Sequence, residues 1–304
     1  MAYADKAVEA AKLMRWMDPT IKTIACGSSN TAMPTFPEWD RVVLERTYDH
    51  IDYFSMHYYV GNPNMNSKEA VDTDSYLASS VHFDEHAETV AAAIRLAKAH
   101  TRSRKDVGLC WDEWNVWYRE VGGDGNWEEA PHILEEVYTL EDALVVAQWL
   151  STFLRKADIV RIACIAQIVN VIAPIMTRAD GLFLQTIYHP LMMFSQHAAG
   201  NSLDVLVRAP THETRKFGEV SLLDVTASHD PATGKGAAFL VNRSQTEALE
   251  VTVKWEDVAP DALTQAWQMT GRDPMATNSF EQPEAVTIHT INPPALNAGT
   301  VTLT

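Results

Sequence analysis

Two adjacent carboxylates, Asp112 and Glu113, stand where the apolar run 107-VGLCW-111 gives out, with Trp111, Trp114 and Trp117 around them. A carboxylate in apolar surroundings can act as a nucleophile or as a general acid or base, according to which protonation state its environment favours. The same position also suits an acid that caps a helix or pairs with an arginine. Other polar groups are placed in the same way. His57-Tyr58-Tyr59 closes the run that starts at Ile51, Gln167 follows 159-IVRIACIA-166 with Asn170 just beyond, and Cys26 to Asn30 end the run that starts at Ile21.

Strand alternation puts His57 and Tyr59 on one face, and Trp111 with Glu113 on one face, leaving Asp112 opposite. Glu113, Tyr59 and Gln167 are therefore expected to converge on one pocket, while Asp112 orients neighbouring backbone. Trp114 and Trp117 follow the acid and are expected in a loop, where aromatic faces stack on sugars. Blander roles stand beside these: a structural histidine at His57, a buried amide at Gln167, and tryptophans that only fill a core.

Other chemistries find less support. A metal reading would use His57, Asp112, Glu113 and His189, but no HExxH or HxH spacing accompanies them. There is no G-x-S-x-G elbow and no G-x-G-x-x-G loop. Cys110 lies mid-strand between apolar neighbours, a poor setting for a nucleophile. No metal and no cofactor is expected.

These groups need a scaffold that brings strand ends together. Apolar runs near 21–29, 51–62, 107–113 and 159–169 alternate with helical patterns at 2–17, 84–100, 140–156 and 190–198. Runs apolar on both faces, separated by helices, predict a parallel α/β sheet whose ligand chemistry gathers at the carboxyl ends of its strands. After Gly200 the pattern becomes short and alternating, as in 219-EVSLLDVTAS-228 and 236-GAAFLVNRS-244, which predicts an antiparallel β-sandwich. The expected class is α/β plus all-β, divided into residues 1–200 and 201–304.

At 304 residues and 46% hydrophobic, the chain can build a sizeable core. Its net charge of −16 argues against nucleic acid or an anionic membrane as partner. Cys26, Cys110 and Cys164 form no disulfide framework, and the first residues read as an amphipathic helix rather than a signal peptide. A soluble cytoplasmic protein is expected.

The runs 112-DEWNVWY-118, 137-VYTLEDALVVA-147 and 166-AQIVNVIAPIMT-177 closely resemble the α-L-arabinofuranosidases of glycoside hydrolase family 51. So do 16-WMDPTIKTIACGSSN-30, 47-TYDHIDYFSMHYYVGN-62 and 185-QTIYHP-190, and more weakly LLDVTASH and FLVNRS in the sandwich. The resemblance implies a (β/α)₈ barrel fused to a β-sandwich, cleaving terminal α-L-arabinofuranosyl groups with retention. It implies Glu113 as the nucleophile and Tyr59 as the residue that contacts it. Gln167 and Trp117 match residues lining the arabinose subsite; His57 and Asn170 are further candidate substrate-binding residues. Arabinofuranosyl saccharides are the implied partners, and family members are commonly homo-oligomers, often hexamers.

One departure concerns the reaction itself. The family's acid/base glutamate lies in a G-N-E motif upstream of every matched run, and this chain has no Asn-Glu dipeptide. A barrel of eight strands takes about 250 residues, and four strands with open edges are expected here. The sequence is thus expected to be a partial gene product or one polypeptide of a split enzyme, with little activity alone. Two alternatives are a non-catalytic carbohydrate-binding or assembly fragment, and a different retaining barrel glycosidase that acts within xylan or arabinan.

Overall fold

The computed structural model describes residues 2–65, 71–118, 129, 134–256, 259–297 and 300–303. Helix α1 (Ala2–Met17) leads into strand β1 (Ile24–Cys26), and α2 (Glu38–Thr47) into β2 (Tyr53–Val60). Helices α3 (Thr73–Leu77) and α4 (Ser80–Thr101) precede β3 (Gly108–Val116), and α5 (Leu140–Arg155) precedes β4 (Val160–Ile165). The four strands form one parallel sheet in the order β1-β2-β3-β4. This is the repeat of a barrel wall, and the chain is a partial barrel joined to antiparallel sheets.

The helices cover one face of the sheet because that face is almost wholly apolar. Phe54, Met56 and Tyr58 of β2 and Leu109, Trp111, Trp114 and Val116 of β3 are all at most 4% exposed. They meet Phe83 of α4 and Trp149 and Phe153 of α5 in a block of ring contacts, with Phe83 stacked on Trp111 at 4.3 Å and on Trp149 at 5.6 Å. Aromatic pairs of this kind add about 0.5–1.5 kcal/mol each beyond area burial. The opposite face carries Ser55, His57 and Tyr59 and stays open above Glu113, whose side chain is 48% exposed.

Helix α5 is started by a capping box: Asp142 N–H donates to Thr139 Oγ1, and Thr139 N–H donates to Asp142 Oδ2. Asp142 is fully buried and also accepts from Asn62 (2.7 Å) and Tyr76 (2.5 Å), which ties the end of β2 to the start of α5. Burial pushes its carboxyl up, and these donors oppose that shift.

Two features were not expected from the sequence. The run at 159–169 is strand only as far as Ile165, and the next residues form an irregular loop followed by the hairpin β5 (Ile175–Arg178) and β6 (Gly181–Leu184). Helix α6 (Tyr188–His197) then leads to short strands: β7 (Asn201–Ser202), β8 (Thr211–Thr214), β9 (Gly218–Ser221), β10 (Leu223–Asp230) and β11 (Lys235–Asn242). β12 (Val251–Lys254), β13 (Ala266–Gln268), β14 (His289–Ile291) and β15 (Thr300–Leu303) complete the antiparallel part.

A buried ionic cluster joins the two parts. Arg243 of the antiparallel part, 5% exposed, donates to Asp224 Oδ2 (2.7 Å), Gln148 of α5 (2.5 Å) and Ser80 of α4 (2.9 Å). Arg155 of α5 donates to the other Asp224 oxygen at 2.6 Å. Removing one partner of such a pair leaves a buried charge uncompensated. Asp224→Ala is expected to destabilise the chain by about 3–5 kcal/mol in urea unfolding.

His86 of α4 is 1% exposed among Phe36, Tyr58 and Trp111, and neither ring nitrogen has a hydrogen-bond partner. Burial, with a smaller contribution from His82, lowers its pKa from 6.5 to about 4. The fold therefore holds this ring neutral, and its contribution is complete above pH 6.5 and declines as the pH falls toward 4. The loss attributable to His86 is on the order of 3 kcal/mol. Urea unfolding at pH 7 and pH 4 should show a smaller fall for His86→Leu than for the wild type.

Candidate active site

Strand alternation breaks at the two carboxylates. Met56 pairs with Trp111 and His57 with Glu113, so β2 advances one residue where β3 advances two. On the other side Trp111 pairs with Ala163 and Trp114 with Ile165, three residues against two. The pairing with β2 thus skips Asp112 and the pairing with β4 skips one residue between Trp111 and Trp114, which is a β-bulge. Beyond it, Trp114 returns to the helix-covered face, at 1% exposure, against Trp149 and Phe153.

The bulge corrects two expectations. Trp111 does not share a face with Glu113, and Trp114 is a core residue within β3 rather than a loop residue. Asp112 and Glu113 both point toward His57, whose Nε2 lies 3.2 Å from Asp112 Oδ1 and whose Nδ1 lies 3.5 Å from Glu113 Oε2. Burial pushes the Asp112 carboxyl up, opposed by the His57 imidazole and by a hydrogen bond from Ser55. Ser55, one alternation below His57, was not anticipated from the sequence.

Tyr59 is brought to Glu113 as expected: its hydroxyl donates to Glu113 Oε2 at 3.1 Å. Burial first, and then the Glu113 charge, raise the Tyr59 pKa above its ordinary value. The phenol therefore stays protonated and remains a donor to the carboxylate throughout the neutral range. Trp117 lies edge-on to the Tyr59 ring at 5.5 Å, and its 38% exposure leaves an aromatic surface beside the carboxylate.

The remaining candidates lie on the loop after β4. Gln167 is exposed, and its backbone N–H donates to Ile172 O. Asn170 has its side-chain amide engaged at both ends by Thr177, which fastens the loop to β5. Asn115, buried at the end of β3, donates to Ala166 O (2.8 Å) and Ile172 O (2.6 Å) and so holds the backbone on either side of Gln167. In the sequence it stood in the run 112-DEWNVWY-118 with no role assigned to it. His189 is buried in α6 against Val286 O, and Cys110 has its thiol pushed up to about 12 by burial, Asp112 and Cys164. Among the described residues no group of three or more His, Cys, Asp or Glu is arranged to hold a metal ion.

The chemistry available here is that of a half-exposed carboxylate at an open strand end, with a fixed phenol donor, an imidazole and an aromatic wall. Deleting Asp112 tests the bulge, since it restores strict alternation and keeps Trp111 and Trp114 in the core. The deletion is expected to cost less than about 3 kcal/mol and to preserve the near-ultraviolet aromatic circular dichroism. Loss of that signal would show that the strand needs Asp112 to bury its tryptophans.

The chain matches the family described as "Alpha-L-arabinofuranosidase C-terminal domain" over residues 112–304. It is 42% identical over 253 residues to an "Intracellular exo-alpha-(1->5)-L-arabinofuranosidase" of Halalkalibacterium halodurans, covering 82% of this chain and 49% of that protein. A similarly named Bacillus subtilis protein is 39% identical over 288 residues, covering 93% of this chain and 56% of its own length. The chain thus spans about half the length of the curated relatives it matches. A family 51 α-L-arabinofuranosidase structure from Bifidobacterium longum superposes with TM-score 0.91 at 34% identity, over 99% of this chain and 60% of that one. An arabinose complex of the Thermotoga maritima enzyme gives TM-score 0.77 at 29% identity, over 99% and 58% of the two chains.

Proposed function

Because the chain belongs to the α-L-arabinofuranosidases of glycoside hydrolase family 51, we propose that it carries the nucleophile of a retaining enzyme that removes terminal α-L-arabinofuranosyl groups from saccharides. The observation that carries this reading is the Tyr59 hydroxyl held on the half-exposed Glu113 carboxylate at 3.1 Å.

In the first step Glu113 attacks the anomeric carbon, the glycosidic C–O bond breaks, and the departing oxygen takes a proton from a general acid. In the second step water displaces Glu113 from the sugar, giving its proton to the same group, so that two inversions yield retention. Tyr59 holds the attacking carboxylate in line through its hydroxyl hydrogen bond. Its donor hydroxyl also steadies the carboxylate when it leaves the sugar. His57 serves as a second positioning group between Glu113 and Asp112. Trp117 supplies the wall of the sugar site, Gln167 a polar contact at its rim, and Asn170 fixes the loop that presents Gln167.

The acid is the part this chain does not identify: its 304 residues contain no Asn-Glu pair. We propose that the proton donor comes from outside these residues. The division between barrel part and sandwich lies at about residue 200, where Gly200 takes a φ of 79° and a Cβ would meet His229 O at 2.3 Å. The word "intracellular" in the relatives' names supports a cytoplasmic location, and no helix among the described residues is long and apolar enough to cross a membrane.

General-acid help contributes about 10²–10⁴ in rate, so leaving-group acidity should govern turnover by the chain alone. Slow release of 2,4-dinitrophenol from its arabinofuranoside is expected, with far slower cleavage of the phenyl arabinofuranoside. Glu113→Gln should abolish the dinitrophenyl reaction. Turnover unchanged in that variant would contradict the assignment, and arabinose binding without any turnover would favour a non-catalytic binding role.

A further inference from the structure

At the amino ends of β2 and β3, the end of the sheet opposite Glu113, lies a cavity of about 520 Å³. Small-molecule sites commonly enclose about 300–1,000 Å³. In a chain of net charge −16 the lining here leans the other way. Lys22, Arg95, Lys98 and Arg161 stand against Asp52, Asp106 and Asp158. Asp52 is already paired with two cations from outside the lining, Arg15 at 2.5 Å and Lys105 at 3.3 Å.

Three groups converge on one side of this cavity. Arg161 crosses the start of β3 over Gly108, where a Cβ would lie 2.5 Å from its Cγ. Its Nη1 and Nη2 donate to Ala157 O and Asp158 O, both at 2.9 Å, which fixes the guanidinium and uses two of its five N–H groups. Tyr48 is 1% exposed, and its hydroxyl proton meets no acceptor. Burial raises the pKa of that phenol, the Lys98 charge and the Val107 N–H oppose the shift, and the Asp106 charge adds to it. The hydroxyl therefore keeps its proton and lies within reach of both charges. A buried donor with nothing to donate to is costly, and a ligand oxygen would satisfy it.

Asp106 shows what belongs between the cations. Its carboxylate lies 2.5 Å from Lys98 Nζ and is also stabilised by the Arg161 charge. The side chain is 89% exposed, and an ion pair so exposed is weak. It is an anion held loosely where a stronger one could sit.

We propose that this cavity binds a small phosphorylated polyol, with its phosphate taking the place of the Asp106 carboxylate among Lys98, Arg161 and the Tyr48 hydroxyl. A phosphate carries more charge and more acceptor oxygens than a carboxylate, and lysine and arginine are its usual ligands. The cavity is larger than a phosphate alone would fill, and Asp158 lines it with a carboxylate to which polyol hydroxyls can donate. The inference stands apart from the sugar chemistry proposed at Glu113, since the two places lie at opposite ends of β3.

The test is isothermal titration calorimetry of the 304-residue chain with ribose 5-phosphate, inorganic phosphate and ribose. Saturable binding of ribose 5-phosphate is expected, at least about tenfold tighter than that of inorganic phosphate, and none of ribose. Tyr48→Phe and Lys98→Gln should each weaken it about tenfold, and Asp106→Asn should tighten it. Tyr48→Phe removes an unsatisfied hydroxyl, so urea unfolding of the free variant should need as much urea as the wild type or more, which excludes misfolding as the cause of weaker binding. Glu113→Gln should leave the affinity unchanged. No saturable binding, equal affinity for inorganic phosphate, indifference to Tyr48→Phe and Asp106→Asn, or loss of binding in Glu113→Gln would each overturn the proposal.

Discussion

Between Trp111 and Trp114, strand β3 spends three residues where β4 spends two, and this extra residue governs what the open face can do. A regular strand would have sent Trp114 to the open face or Glu113 into the aromatic block. With the bulge, both tryptophans bury against α4 and α5, and both carboxylates stay on the side of His57. Bulges re-aim side chains in this way next to functional sites. The aromatic block then acts as a fixed base: the packing of Phe83, Trp111, Trp114 and Trp149 determines where the Glu113 backbone sits, and Tyr59 determines where its carboxylate points.

The supporting shell is polar and buried. Asp142 secures the end of β2 against α5, Asn115 holds the loop that presents Gln167, and Arg243 with Asp224 fastens the antiparallel part to α4 and α5. Each fixes backbone near a strand end and touches none of the groups proposed to react.

Much of this was legible in the sequence, for identifiable reasons. The helix patterns and apolar runs gave the order of elements because burial on one face or both leaves a period in the chain. The His57-Tyr58-Tyr59 and Asp112-Glu113 groups stood at strand ends, and the structure brings Tyr59 and Glu113 together. The bulge was not legible, since it is a property of pairing with β2 and β4, although the spacing of three between Trp111 and Trp114 was a trace of it. The start of the loop after β4 was absorbed into the apolar run 159–169, because Ile168 and Val169 have the composition of a strand although they are 60% and 47% exposed. Asn170 looked like a ligand-facing amide, and only the fold shows Thr177 occupying it.

The role proposed for Glu113 is to form the bond to the sugar. The direct measurement is mass spectrometry of peptides after incubation with a 2-deoxy-2-fluoro-arabinofuranosyl donor bearing dinitrophenol, whose leaving group needs little protonation while the fluorine slows release of the intermediate. One equivalent of sugar is expected on the peptide containing Glu113, attached to that side chain. Sugar on Asp112 or any other residue, or phenol release with no adduct at all, would contradict it.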